Sequence, residues 1–142
     1  ERFITALTFS ALTGRPTQTQ EQLSQDSLDQ TYAHLYPSTK ADLFVLIPAT
    51  ANTIGSIAHG LGTDPVSNGV LSLKADCKRL YCPAMNTHMW KQVSVQRNCE
   101  QLEEDGWIAV GPESGRLACG SMGIGRLADT EIIVEKILQQ KS

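Results

Sequence analysis

Three short segments concentrate the side chains able to do chemistry. The first, Arg116-Leu117-Ala118-Cys119-Gly120-Ser121-Met122-Gly123-Ile124-Gly125-Arg126, sets a thiol among glycines. Loops lie at the surface, so a cysteine there is poorly placed as inert core and can be presented to a ligand. Its spacing matches neither a Walker loop nor a dinucleotide fingerprint, and a flexible lid is the expectation. The second, Pro83-Ala84-Met85-Asn86-Thr87-His88-Met89-Trp90, combines ordinary turn chemistry at Asn86-Thr87 with two methionines and a tryptophan. Those large side chains could wall an aromatic cofactor, but by themselves they favour a core cluster. The third, Pro48-Ala49-Thr50-Ala51-Asn52-Thr53, offers hydroxyls, an amide and helix N–H groups to a polar ring edge or an anion. Helix capping explains it equally well.

The elements that must position these segments follow from periodicity. Leu43-Phe44-Val45-Leu46-Ile47 is a continuous apolar run ending at Pro48, which suits a strand buried on both faces of a parallel sheet. Helical stretches follow at 54–61, with Thr50, Asn52 or Thr53 as the cap, and at 66–73. Leu80-Tyr81-Cys82 is a second strand ending at Pro83. Residues 92–105 form an amphipathic helix with Val93, Val95, Cys99 and Leu102 apolar, stopped by Gly106. Trp107-Ile108-Ala109-Val110 is a third strand, 111–125 a glycine-rich loop, and 129–140 a closing helix with Ile132, Ile133, Ile137 and Leu138 on its apolar side. Residues 3–12 have helical spacing up to Gly14 and Pro16, and 17–29 is a polar stretch. Strands alternating with helices give an α/β fold with a mostly parallel sheet. Both polar turns then fall at strand carboxyl ends, where ligands of open α/β sheets bind.

Composition narrows the class. With 142 residues the chain is about one domain, and 41% hydrophobic against 19% charged residues fits a folded protein. A net charge of −3 without a basic run argues against nucleic-acid binding. The longest apolar stretch, 43–51, is too short for a bilayer and contains a proline. The 4 cysteines form no Cys-x-x-Cys pair, so metal is not expected, and Cys77, Cys82 and Cys99 read as small buried hydrophobes.

Taken in order, Pro-Ala-Thr-Ala-Asn-Thr at 48–53, Pro-Ala-Met-Asn-x-x-Met-Trp at 83–90 and Leu-Ala-Cys-Gly-x-x-Gly-x-Gly at 117–125 strongly resemble the flavin-containing cysteine decarboxylase family. The resemblance runs from Arg2 through the final helix and implies a Rossmann-like, flavodoxin-like three-layer sandwich. It implies one flavoprotein domain over 1–142, N-terminally incomplete because the family's Gly-Ser/Gly-Ile-Ala-Ala-Tyr-Lys type phosphate loop has no match here.

The implied activity is that of a carboxy-lyase: FMN-dependent decarboxylation of 4'-phosphopantothenoylcysteine to 4'-phosphopantetheine in coenzyme A biosynthesis. By the same resemblance His34, eight residues ahead of Asp42, is catalytic, although Pro37 interrupts its usual helical context and Lys40 replaces a tryptophan. Asn86 holds the substrate carboxylate, and Cys119 is the acid that completes reduction. Thr50, Ala51, Asn52, Thr53, Ala84 and Phe3 contact FMN; Met85 and Ala118 join Asn86 and Cys119 around the substrate. A cytoplasmic homotrimer or multiple of trimers is implied, with a synthetase as separate partner. The family also contains peptidyl-cysteine decarboxylases of lantibiotic maturation, which stop at the enethiol and lack the reducing cysteine, and non-catalytic regulatory homologues. Cys119 in its Leu-Ala-Cys-Gly context argues against the peptidyl type.

Overall fold

In the computed structural model, which describes residues 4–17, 19, 38–116, 120 and 122–140, the apolar run becomes strand β1, Leu43–Ala49. It pairs in parallel with β2, Lys78–Pro83, which pairs in parallel with β3, Trp107–Ala109. Pro48 does not end its strand as expected, whereas Pro83 does. Pro48 sits where the register shifts between Leu46 and Ala49, so the ladder needs no N–H there, and Pro83 is the last residue of β2.

Side chains alternate across the sheet and found two cores. Leu46, Tyr81 and Trp107 face one side with Ala49, packing on Ile54, Val95, Cys99 and Leu102. Those partners come from helices α2, Ala51–Ala58, and α5, Val93–Glu104, which pack on each other. Leu80, Cys82 and Val110 face the other side and meet Ala128 and Ile133. Ile133 belongs to α6, Thr130–Gln139. Helices on both faces of a parallel sheet make the three-layer α/β sandwich that the alternating elements predict.

Among the described residues the other α-helices are α1, Ala6–Thr13, closed by Gly14 at φ 66°; α3, Pro65–Leu71; and the single turn α4, Thr87–Trp90. α2 starts before the expected residue 54 because Thr50 caps it. α3 spans 65–71 rather than 66–73: Asp64 and Ser67 form a capping box with Pro65 in the first turn. Two apolar assignments fail. Val93 is 81% exposed, because α5 begins there and turns its Val95-Cys99-Leu102 stripe inward. On α6, Ile132 and Leu138 are exposed while Ile133 and Ile137 lie on the sheet, one turn apart.

The largest departure is the expected loop 111–125. It contains an antiparallel ribbon: β4, Glu113–Arg116, paired with β5, Met122–Arg126.

Candidate functional site

The two polar turns emerge side by side from adjacent strands. Ala49 and Pro83 are Cα partners across β1 and β2, and the Ala84 N–H donates to the Ala49 carbonyl at 3.0 Å. Turn 50–53 is therefore next to turn 84–87 at the carboxyl edge of the sheet.

Turn 50–53 organises itself. Thr50 has extended backbone, and its Oγ1 accepts from the Thr53 N–H at 3.3 Å. The two threonine hydroxyls share a hydrogen bond at 3.0 Å. Capping is thus a real duty of Thr50, yet Thr50 and Asn52 stay exposed. A helix leaves its first-turn N–H groups without intrahelical partners, so the start of α2 adds donors to the hydroxyls and the Asn52 amide. No charge stands among residues 48–53.

Turn 84–87 is held from outside. Asn86 caps α4, its Oδ1 accepting from the His88 N–H at 2.8 Å. On the side away from β1, β5 grips the turn: Met85 N–H donates to the Gly125 carbonyl at 2.9 Å, and Thr87 Oγ1 donates to the Ile124 carbonyl at 2.7 Å. A Cβ on Gly125 would strike the Met85 carbonyl oxygen, and one on Gly123 the Thr87 hydroxyl. Gly125 also has φ 132°, which side chains rarely adopt. Met85 and Trp90 pack against the first core cluster, as their types suggest, and Met89 is exposed.

Arg126 braces the base of the ribbon. Its guanidinium pairs with Glu113 on β4 and, at 2.6 Å, with Asp129 at the start of α6. Its side chain crosses the face of Gly115, where a Cβ would lie 2.9 Å from Nε. The Arg126 hydrogen bond, then its charge, holds the Asp129 carboxyl below the usual range.

Thr50, Ala51, Asn52, Thr53, Ala84, Met85 and Asn86 are thus gathered on one edge of the sheet. Phe3, His34, Ala118 and Cys119 lie outside the described residues. Arg116 and Met122, Cα partners at the end of the ribbon, flank the segment 117–121 that carries the last two. Cys77, Cys82 and Cys99 are buried as expected, and burial pushes each thiol's pKa up. Among the described residues, no group of His, Cys, Asp and Glu is placed to hold a metal ion, and no helix is long and apolar enough to cross a membrane. Sequence reasoning passed over Thr87 and Arg126. The available signal was Gly123 and Gly125, two positions apart and so on one face of a strand, which marks close backbone approach.

Known proteins resemble this chain in sequence and in fold. A family model described as Flavoprotein matches residues 2–142. A probable phosphopantothenoylcysteine decarboxylase from Streptococcus mutans is 36% identical over 140 residues, covering 99% of this chain and 77% of that protein. The coenzyme A biosynthesis bifunctional protein CoaBC of Bacillus subtilis is 37% identical over 134 residues, covering 94% of this chain but only 32% of its own length. Among solved structures, a PPC decarboxylase with a cysteine-to-serine mutation, complexed with pantothenoylaminoethenethiol, superposes with TM-score 0.80 at 30% identity, over 88% of this chain and 70% of that one. The FMN-dependent cysteine decarboxylase SpaF gives TM-score 0.76 at 30% identity, over 99% and 74%.

Proposed function

The chain belongs to the flavoprotein family across residues 2–142, and from that premise we propose that it is the catalytic domain of an FMN-dependent decarboxylase converting 4'-phosphopantothenoylcysteine to 4'-phosphopantetheine. The observation that carries the proposal is the docking of the ribbon, whose connecting segment contains Cys119, on the turn that holds Asn86. The relatives supply the substrate class: one is named for this decarboxylation, others for coenzyme A biosynthesis.

The residues at the sheet edge fit FMN. Uncharged hydroxyls, a carboxamide and helix N–H groups at 50–53 match the carbonyl acceptors of a neutral heteroaromatic ring. Thr50, Ala51, Asn52, Thr53 and Ala84 would hold it, with Phe3 from the N-terminal segment. When bound, FMN supplies a reversible two-electron oxidation of the substrate's cysteine moiety.

Asn86 orients the substrate carboxylate, with Met85 and Ala118 beside it. A neutral amide positions that group without stabilising its charge as arginine would, which suits a group that must leave as CO2. His34 serves the oxidation and decarboxylation half of the reaction. Once the C–C bond breaks and CO2 departs, the removed electrons return, and Cys119 gives its proton to the enethiol carbon. The sum balances: one carboxylate is lost as CO2 and one proton takes its place.

We further place the protein in the cytoplasm as a homotrimer or multiple of trimers, working with a synthetase as in the bifunctional relatives. The exposed Ile4, Leu7, Phe9 and Leu12 around α1 offer apolar surface for assembly.

The test is Cys119→Ser in the full-length protein. Serine keeps the shape but is a far weaker acid than a thiol, which titrates near ~8.5. The variant should be yellow, release CO2 once per flavin and accumulate an enethiol two hydrogens lighter than phosphopantetheine by mass spectrometry. Normal yield of the saturated product would remove Cys119 from the reaction, and a colourless protein that takes up no FMN would overturn the enzyme reading.

A further inference from the structure

The ribbon motif contains two glycines that cysteine chemistry does not require. Gly123 and Gly125 lie on one face of β5, and that face is pressed on turn 84–87 so closely that a Cβ on either would meet Met85 or Thr87. Two hydrogen bonds seal the contact, and they flank Asn86 in sequence: Met85 N–H to Gly125 and Thr87 Oγ1 to Ile124. Only the second comes from a side chain, so only it depends on which residue stands at 87.

The Thr87 hydroxyl does nothing for α4, since Asn86 already caps that turn. Its donation reaches a carbonyl far along the chain on another element. Without it, the residue after Asn86 loses its side-chain tie to β5, and the Met85–Gly125 bond is left to hold the ribbon on the turn.

We propose that Thr87 is a positioning residue for Asn86: by bonding β5 it fixes the angle at which the Asn86 carboxamide meets the substrate carboxylate. The inference rests on the proposed reading of Asn86 and names the residue that sets its aim.

The experiment uses the full-length FMN-loaded protein with Thr87→Val, which keeps the branched shape and removes the donor, and Thr87→Ser, which restores the donor. Amide hydrogen exchange reads the geometry. Losing one hydrogen bond should speed exchange at Met85 about 5-fold while Ala84, bonded to Ala49, keeps its wild-type rate. Kinetics reads the aim: KM for the carboxylate-bearing substrate should rise about 5-fold, while the inhibition constant of the decarboxylated product stays put. Thr87→Ser should restore both. Gly123→Ala, which drives a methyl at the Thr87 hydroxyl, should move both readouts in the direction of Thr87→Val.

Unchanged Met85 exchange in Thr87→Val would overturn the proposal. So would a parallel rise at Met85 and Ala84, or equal weakening of substrate and product, because each indicates general loosening. A wild-type protein without decarboxylase activity overturns the proposed function instead, and Met85 exchange alone then decides whether Thr87 clamps the turn.

Discussion

The two turns at the carboxyl edge of the sheet are neighbours built on opposite plans. Turn 50–53 makes its hydrogen bonds with itself: threonine to threonine, and threonine to the start of its own helix. Turn 84–87 is clamped between β1 and β5, with bonds from Ala84, Met85 and Thr87 to residues distant in the chain. A self-contained turn can meet a bound ring with its outer side fully open. A clamped turn gives one side chain, Asn86, a fixed direction. On the proposed function, the difference suits one surface that accepts a cofactor and one that must aim.

The sharpest way to break the comparison is Gly125→Ala. It places a side chain at φ 132° and a methyl against the Met85 carbonyl. Backbone strain and overpacking together should cost on the order of 3 kcal/mol or more. Denaturant unfolding should show that loss, with exchange of the Met85 amide rising ahead of the α2 amides. A loss below about 1 kcal/mol would mean that the ribbon is not clamped.

A smaller, opposite effect is expected at the other turn. Thr50→Ala removes a cap and should cost about 1 kcal/mol, felt in α2 amide exchange and not at Met85. If Met85 responds as strongly as α2, the two turns are one cooperative unit and the contrast fails.

The smallest effect should touch both turns alike, because both stand on the same sheet. Cys82 and Cys99 are buried on opposite faces of that sheet, and burial raises their thiol pKa values above the ordinary range. The folded state therefore holds its thiol protons more tightly than the unfolded chain. Well below the ordinary thiol pKa both states keep these protons; as pH rises toward and through it the unfolded chain ionises first and stability declines. Urea midpoints should fall at alkaline pH, and a Cys82→Ala/Cys99→Ala variant should fall less steeply. Equal slopes would place the alkaline loss elsewhere, with Tyr81 the next group to examine, since burial raises its pKa too.

Local chemistry made much of the molecule legible. The run at 43–47 has no polar side to offer water, and its residues 43–46 are covered on both faces, while Ile47 at the end of the run is exposed. Thr50 follows a strand and precedes a helix, and its capping oxygen needs only a partner three residues away. The order of three motifs was enough to point to the flavoprotein family. Pro83 ends its strand as its type suggests, but β1 runs on past Pro48, because a proline is harmless where the register slips, and register is a property of two strands. Val93 was misassigned because periodicity sets which residues share a stripe, while packing decides where the stripe begins.

What the sequence determined by itself was therefore the layered α/β plan, the self-capped turn and the family. Only the tertiary structure decided that the glycine-rich segment contains a ribbon, that β5 lies on turn 84–87 with Thr87 bonded to it, and that Arg126 ties β5 to β4 and to the start of α6. The physical reason is range. Caps and apolar stripes are settled within one or two turns of chain, where residue type suffices. The glycines at 123 and 125 have no side chain to announce a partner, and their meaning appears only when a carbonyl and a hydroxyl from another element occupy the space a Cβ would have filled.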